Sequence, residues 1–282
     1  MPPRCGGRWA VRSTPPAASC ETVRSASIWG DEITVRLVYG ERTDPGRVRP
    51  SNQDAYLFEP LSVPGGGALL AVADGMGGYD GGEVASRLAI QTLRAYVPPR
   101  VEAWVREGSV GEGLVEAIHE ANHAILQEQM ARAELAHMGT TVTAVVVMGP
   151  RLYVGHVGDS KAFLVGPREA RQITSDHNVP GELLQSGHLT REEAANHPQR
   201  HVLTRALGVR PDLPVEQREL EWAVGDLLLL CTDGLSNLVA LEEIREAALR
   251  LEPDALAEWL VNLANSRGGY DNITVLAARW EG

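Results

Sequence analysis

Seven short apolar runs, each bounded by turn residues, leave few folds open to this 282-residue chain. Runs of this length that are rich in β-branched residues are typical of strands. The connections GPR and GDSK between the middle three runs are too short for a crossover helix, so we expect an antiparallel meander there. The predicted strands are Ile33–Tyr39, Leu69–Ala73, Thr141–Met148, Leu152–Val157, Ala162–Val165, Leu227–Cys231 and Ile273–Ala277.

Three other segments repeat apolar residues at the spacing of a one-sided helix. Antiparallel strands mixed with helices favour an α+β layered architecture over a doubly wound parallel sheet, in which strands and helices alternate strictly. The three apolar faces are Ala85, Leu88, Ala89, Leu93 and Tyr96; Leu114, Ile118, Ala121 and Ile125; and Leu256, Trp259, Leu260 and Leu263.

Composition excludes several classes of function. The chain has 26 basic and 37 acidic residues, a formal charge of −11, and no Lys/Arg run that would neutralise a nucleic-acid backbone. Cys5, Cys20 and Cys231 form no C-x-x-C pair, which argues against a disulfide framework or a zinc ribbon and favours the reducing cytoplasm. No apolar stretch approaches the roughly 20 residues that span a bilayer.

The first thirty residues differ from the rest because they combine four arginines with four prolines. They lack the continuous apolar core of a secretory signal peptide, and we expect residues 1–30 to be a disordered extension. A misassigned start codon and a small basic docking arm are the alternatives. Residues 31–282 show no linker or repeat and are expected to form one domain.

Aspartates end three of the predicted strands and open a fourth. Asp74, Asp159 and Asp233 follow apolar runs, and Asp271 precedes one. Carboxylates on rigid strand ends can converge, and they would repel one another unless a cation lay between them. Oxygen ligands without a cysteine or histidine cluster select Mg²⁺ or Mn²⁺ over Zn²⁺. The alternative is that Asp-Gly is a common turn dipeptide without chemistry.

Six motifs in order resemble the metal-dependent protein Ser/Thr phosphatases of type 2C, the PPM family, in its bacterial form. The resemblance runs from about residue 33 to residue 280. It implies a four-layer α-β-β-α sandwich, in which helix pairs flank two central antiparallel sheets. The motifs are GRVRPSNQDA (46–55), VADGMGG (72–78), MGTTVTA (138–144), HVGDSK (156–161), CTDGLSN (231–237) and DNITV (271–275).

The resemblance also implies a centre of two Mn²⁺ or Mg²⁺ ions. Carried over by position, Asp74 bridges the ions, the Gly75 carbonyl binds one of them, and Asp233 and Asp271 bind the other. Glu134 occupies the place where bacterial relatives often carry an aspartate for a third, weaker metal. Asp159 is expected to hold its own turn rather than a metal.

Hydrolysis of phosphoserine and phosphothreonine on proteins is the activity that the resemblance implies. A hydroxide bridging the metals attacks phosphorus without a covalent enzyme intermediate. By the same resemblance, Arg49 would bind the substrate phosphate, and Asp54 would orient metal-bound water. Met76 stands where eukaryotic relatives have a histidine proposed as general acid, which leaves the acid unassigned here. The expected partners are phosphoproteins, by analogy including a Ser/Thr kinase, and the expected state is a monomer.

Two other functional hypotheses need weighing. Gln53 stands where many relatives carry glutamate, and together with Glu134 it suggests a catalytically dead phosphatase fold that binds a kinase or phosphoprotein. The sequence HEANH matches the H-E-x-x-H motif of zinc proteases. However, His119 and His123 lie opposite the apolar stripe of their predicted helix, so we expect a chance match.

The segment 174–199 corresponds to a flap near the active site of bacterial relatives. Its polar, glycine-containing composition suits a mobile loop with short helices. We expect His177, His188 and His197 within it to be surface or local hydrogen-bonding groups. Cys231 ends a run of four leucines and is expected to be buried packing rather than a nucleophile.

Overall fold

The computed structural model describes residues 36–77 and 81–281. The predicted extension 1–30, the first part of the strand predicted at 33–39, and residues 78–80 lie outside the described residues. Among those described, eleven strands and eight α-helices occur. The strands are β1 (Arg36–Asp44), β2 (Asp54–Leu61), β3 (Gly67–Met76), β4 (Gly139–Thr140), β5 (Val142–Met148), β6 (Arg151–Val157), β7 (Lys161–Val165), β8 (Ala170–Gln172), β9 (Glu216–Glu221), β10 (Leu227–Cys231) and β11 (Ile273–Glu281).

The helices of the described residues all lie between strands, and a 3-10 turn at Ala133–Leu135 joins the third helix to β4. The helices are α1 (Gly81–Tyr96), α2 (Val101–Glu107), α3 (Val110–Ala131), α4 (Val179–Gln185), α5 (Arg191–Ala195), α6 (Asp233–Ser236), α7 (Leu241–Ala248) and α8 (Pro253–Ser266).

Two antiparallel sheets form the centre of the molecule. One has the strand order β1-β11-β10-β7-β8, and the other has the order β2-β3-β5-β6-β9. Helices α1 and α3 cover the second sheet, while α7 and α8 cover the first. The predicted α+β sandwich of four layers is therefore confirmed.

Strand β3 shows why the central strands are continuously apolar. Leu69 and Ala71 face the helices α1 and α3, whereas Leu70 and Val72 face the opposite sheet. Successive side chains of a strand point to opposite faces, so a strand covered on both faces needs apolar residues at every position. The same double burial makes the LLLLC run of β10 fully buried.

The predicted meander of three strands is wrong. Strands β5 and β6 pair as expected, but β7 pairs with β10 and β8 in the other sheet. The short connection contains Gly158 at φ 113°, a left-handed conformation that turns the chain out of the sheet of β6 and into the sheet of β10. Connection length alone excluded a crossover helix, but it did not exclude a change of sheet.

One helical face is also displaced from its predicted position. Trp259 was expected on the buried face of α8, yet 39% of its surface is exposed. The buried stripe runs instead through Leu256, Ala257, Leu260 and Val261. Ala257 thus takes a buried position that the sequence period had given to Trp259.

Candidate metal centre

Aspartates from five separate chain segments meet at one end of the sandwich. Asp54 and Asp74 are direct partners in the antiparallel β2–β3 register, which fixes one carboxylate beside the other. Asp233 is the first residue of α6, and Asp271 lies just before β11. Asp74, Asp159, Asp233 and Asp271 line a cleft of about 1010 Å³. The structure therefore brings together the carboxylates that the strand ends predicted.

Two glycines allow this convergence because the backbone is crowded around them. A Cβ atom on Gly75 would lie 2.1 Å from the Gly82 carbonyl oxygen. A Cβ atom on Gly234 would lie 2.0 Å from the Asn272 carbonyl oxygen. Real Cβ contacts are never this short, so glycine is required after both Asp74 and Asp233.

The carboxylates repel one another strongly without a cation. Burial, followed by the charges of Asp54 and Asp233, raises the pKa of Asp74 well above its ordinary value. Burial and the charge of Asp233 raise the pKa of Asp159 to about 7. Burial and the charge of Asp271 raise the pKa of Asp233. The raised pKa values show that ionising these carboxylates together is unfavourable, and a bound divalent cation would relieve their repulsion.

Asp54 provides a direct test of whether a cation fits. Its Oδ2 atom accepts hydrogen bonds from the hydroxyls of Thr232 at 2.8 Å and Thr274 at 2.7 Å. Its Oδ1 atom and the Oδ1 atom of Asp233 are buried without a hydrogen-bond partner among residues 36–77 and 81–281. Buried carboxylate oxygens nearly always have partners, and both lone oxygens belong to the converging group. The donor set therefore fits hard divalent cations.

Neighbouring threonines hold the backbone of Asp74. The Asp74 amide donates to Thr141 Oγ1 at 2.9 Å, and the Asp74 carbonyl accepts from the Thr141 amide at 2.9 Å. Thr140 Oγ1 donates to the same carbonyl at 2.8 Å. These contacts come from the MGTTVTA motif and fix the direction of the Asp74 side chain.

Arg49 reaches the same group of carboxylates from the opposite end of the chain. Its Nη2 atom lies 2.7 Å from Asp271 Oδ2, and its side chain is 53% exposed. The hydrogen bond that Arg49 donates to Asp271 raises the pKa of Arg49, as do the charges of Asp271, Asp74 and Asp233, against the opposing effect of burial. A planar guanidinium here is available to a phosphate in the cleft.

Glu134 does not join the carboxylate group. It lies in the 3-10 turn before β4, its side chain is 66% exposed, and it accepts from Arg132 Nε at 3.1 Å. The hydrogen bond of its own backbone and that of Arg132 lower its pKa. Its position relative to the G-T motif in sequence therefore did not place it in the cleft.

A group that sequence reasoning missed is formed by His156, His177 and Glu216, whose potential ligand atoms lie within 4.8 Å of one another. His177 Nδ1 accepts from the Gly158 amide at 3.1 Å, so the ring proton is on Nε2, 3.3 Å from Glu216 Oε2. His156 Nε2 lies 3.0 Å from the Ser175 carbonyl oxygen. Because a carbonyl can only accept a hydrogen bond, Nε2 carries the ring proton and donates it. Burial lowers the pKa of His156 to about 4, which keeps its ring neutral.

The Nε2 atom of each ring therefore directs an N–H toward an oxygen, that of Glu216 for His177 and that of Ser175 for His156, while the lone pair of His177 Nδ1 accepts from the Gly158 amide. The protonated nitrogens identify a hydrogen-bonded link between β6, β9 and the flap rather than a metal site. Strands β6 and β9 place His156 opposite Glu216 in one sheet, and the spacing of HVGD and SDH in the sequence gave no sign that His177 joins them.

The two remaining sequence expectations concern groups outside the cleft. His123 on α3 is exposed and its Nδ1 lies 3.9 Å from Glu120, as expected for a chance match to the protease motif. Cys231 is buried, and burial raises its pKa to about 12, so its thiol is not ionised at neutral pH. None of the described helices is long and apolar enough to cross a membrane.

Comparison with known proteins agrees with this geometry. The profile of the family "Protein phosphatase 2C" matches residues 47–267. The Ser/Thr phosphatase stp of Listeria monocytogenes is 36% identical over 247 residues, which cover 83% of this chain and 92% of that protein. The Ser/Thr protein phosphatase PstP of Mycobacterium tuberculosis is 39% identical over 249 residues, covering 87% of this chain and 45% of PstP.

Solved structures of bacterial Ser/Thr phosphatases have the same fold as this chain. A crystal structure of Mycobacterium tuberculosis PstP superposes with a TM-score of 0.78 at 38% identity, covering 88% of this chain and 100% of that one. The PstP catalytic domain in complex with two manganese ions gives a TM-score of 0.74 at 37% identity, covering 88% and 99%. Nothing in these comparisons points to an inactive binding module. The chain belongs to the protein phosphatase 2C family of Ser/Thr phosphatases.

Proposed function

We propose that this chain hydrolyses phosphoserine and phosphothreonine on proteins at a centre for two Mn²⁺ or Mg²⁺ ions. The observation that carries the proposal is the group of converging aspartates with two buried, unpartnered oxygens. Asp74 lies centrally and would hold both ions, the Gly75 carbonyl would bind one, and Asp233 and Asp271 would bind the other. The PstP catalytic domain with two manganese ions supports this number of metals.

Bound divalent ions supply positive charge and lower the pKa of a coordinated water. The chain itself orients the reactants. Asp54 is held by Thr232 and Thr274 through Oδ2, and its buried Oδ1 has no partner among the described residues, so it would be free to accept a hydrogen bond from a metal-bound water. Arg49 is exposed at the rim beside Asp271, where its fork can hold two phosphate oxygens.

The leaving serine or threonine oxygen needs a proton from another donor. Met76 lines the cleft but has no ionisable proton. Glu134 is not included in the proposed metal set, because it is exposed and paired with Arg132. A third metal would need other ligands.

Phosphoproteins are the substrates of this reaction class, and we include a Ser/Thr kinase among the proposed substrates. The proposed state is a monomer acting in the cytoplasm. The relatives, which are bacterial Ser/Thr phosphatases, support the substrate class, and the absence of a C-x-x-C pair in the sequence fits a reducing compartment.

Hydrolysis of p-nitrophenyl phosphate and of a phosphothreonine peptide tests the proposal. Both activities should require added Mn²⁺ or Mg²⁺, disappear with a chelator, and return with excess metal. Asp74→Asn and Asp233→Asn should each lower kcat/KM by at least 100-fold, the order expected when a metal-dependent stabilisation is lost. Glu246→Gln is the matched control, since Glu246 is exposed on α7. Full activity of Asp233→Asn, or turnover without metal, would refute the mechanism.

A further inference from the structure

One wall of the cleft comes from a single segment that precedes β9. We call residues 201–209 the cleft wall. Six of its nine residues line the cleft, and they contribute two basic side chains among apolar and hydroxyl groups. The lining residues are His201, Leu203, Thr204, Arg205, Ala206 and Val209.

The end of the cleft wall is tied directly to the metal-binding strand. Leu207 and Thr140 exchange two backbone hydrogen bonds, of 2.9 and 3.2 Å. Thr140 also donates its hydroxyl to the carbonyl of Asp74. The Gly208 amide donates to the buried Asn122 side chain of α3 at 2.8 Å. The wall therefore has a fixed position relative to Asp74.

The start of the cleft wall is tied to the base of the flap. The Thr204 amide donates to the His177 carbonyl at 2.9 Å, and the Val179 amide donates to the Val202 carbonyl at 3.0 Å. His177 is in turn bonded to the Gly158 amide and to Glu216. Residues 204–207 are thus held at both ends.

Arg205 lies between these two anchors, and its guanidinium makes a long ion pair with the half-exposed Glu182 of α4. Its Nη1 atom is 3.3 Å from His177 Nε2, which carries a proton and cannot accept. Its Nη2 atom is 3.8 Å from Glu182 Oε1, beyond hydrogen-bond distance. The side chain is 30% exposed, and it faces the cleft. The backbone of Arg205 is held in place, and its guanidinium is available to a ligand in the cleft.

We infer that Arg205 binds a second anionic group of the substrate, next to the phosphate that is removed. This inference rests on the proposed function and adds a substrate class to it: phosphoproteins with an acidic side chain, or a second phosphate, near the phosphorylated residue. Arg205 contacts the flap and none of the metal-site carboxylates, whereas Arg49 contacts Asp271. The two arginines therefore serve two different anions.

The overall charge makes such a local cation necessary. The chain has a formal charge of −11, which repels an acidic peptide at long range. A bidentate arginine contact compensates at short range and also selects the group that it binds. Without it, the protein would disfavour acidic substrates.

Four phosphothreonine peptides test the inference, with Ala, Glu, Lys or a second phosphothreonine beside the target residue. For the wild-type protein with Mn²⁺ we expect kcat/KM for the Glu and doubly phosphorylated peptides to exceed that for the Lys peptide about 10-fold, equal to about 1.4 kcal/mol. A preference for only one of the two anionic peptides would identify the source of the anion. The preference should weaken when salt shortens the Debye length.

Charge reversal gives the sharpest variant. R205E should invert the preference, so that the Lys peptide becomes the better substrate, and R205K should keep part of it. R168A is the matched control, because Arg168 is exposed in the turn between β7 and β8, at the far end of β7 from Asp159. It should leave the preference intact.

Hydrolysis of p-nitrophenyl phosphate separates the possible failures. No metal-dependent turnover of any substrate by the wild-type protein would refute the proposed function itself. Turnover with equal kcat/KM for the Glu and Lys peptides would refute only the role of Arg205. An equal loss in R205E for every substrate, with no inversion, would also refute it and would identify Arg205 as a residue that supports the fold or the reacting phosphate.

Discussion

Asp54→Asn should stabilise the metal-free protein and weaken its binding of metal. The Asp54 carboxylate accepts from two threonine hydroxyls, but its other oxygen is buried beside Asp74 without a partner. An asparagine keeps the oxygen that Thr232 and Thr274 need. Its amide group can donate to the neighbouring carboxylates instead of repelling them. Asp54 is therefore expected to favour metal binding while it lowers the stability of the metal-free protein.

The magnitude follows from the ionisation of Asp54. Burial, which outweighs the hydrogen bonds from Thr274 and Thr232, and the charges of Asp233 and Asp271 raise its pKa from 3.8 to about 7. Each tenfold change in an ionisation constant corresponds to about 1.4 kcal/mol, so the upper limit is about 4 kcal/mol. Local relaxation reduces this, and we expect about 2 kcal/mol, or about 4–8 °C in Tm for a domain of this size.

Thermal unfolding in a chelator, measured from pH 4 to pH 8, is the assay. Because the folded-state pKa of this acid is raised, its ionisation costs nothing below about 3.8, where both states are protonated. The free-energy cost of ionising Asp54 in the folded protein grows between pH 3.8 and about pH 7, and it is complete above about pH 7. The gain in Tm from Asp54→Asn should therefore be small at pH 4 and largest at pH 8.

Added Mn²⁺ should reverse the order of stability. Ligand binding to the folded state raises stability with concentration, and the wild-type protein should gain more than the variant. Asp212→Asn is the control, since Asp212 is exposed and should show neither effect. A variant that is less stable than the wild type in chelator at pH 8 would show that the aspartate repulsion is not a real cost.

Three further outcomes are expected. Glu134→Gln should leave Mn²⁺-dependent kcat/KM within about 2-fold, because Glu134 pairs with Arg132 outside the cleft; a large loss would restore it as a metal ligand. Asn122→Ala should lower the free energy of unfolding, measured by urea titration, by about 2–4 kcal/mol. The reason is that the Gly208 amide and the Arg210 carbonyl lose their hydrogen-bond partner. An unchanged free energy of unfolding would contradict this role. Iodoacetamide should not label Cys231 in the native protein, because burial raises its pKa to about 12, and peptide mass spectrometry would detect labelling if it occurred.

Some errors of sequence interpretation have a common physical cause. The connection after Val157 was short enough for a hairpin, but Gly158 sends the chain to the other sheet. Trp259 had the right period for the buried face, yet the small Ala257 occupies that face. Local patterns fix the element type, whereas the neighbour that covers each face is decided by long-range packing.

The edge strand β9 escaped prediction for a related reason. Its sequence EQRELE is mostly exposed, and β6 is its one partner among the described strands. Few of its side chains are apolar, so no hydrophobic period marks it. Its Glu216 nevertheless completes the buried link to His177.

The sequence by itself determined the doubly covered strands, the helices with one apolar face, and the aspartates at strand ends. These features depend on residues close together in the chain, and the ordered motifs indicated the family. Only the tertiary structure decided that Asp54 stands opposite Asp74, that Glu134 stays outside the cleft, and that Arg205 is fixed in its wall. Those facts depend on contacts between residues far apart in sequence. A local sequence pattern does not show which residue of another strand or helix will lie beside a given side chain.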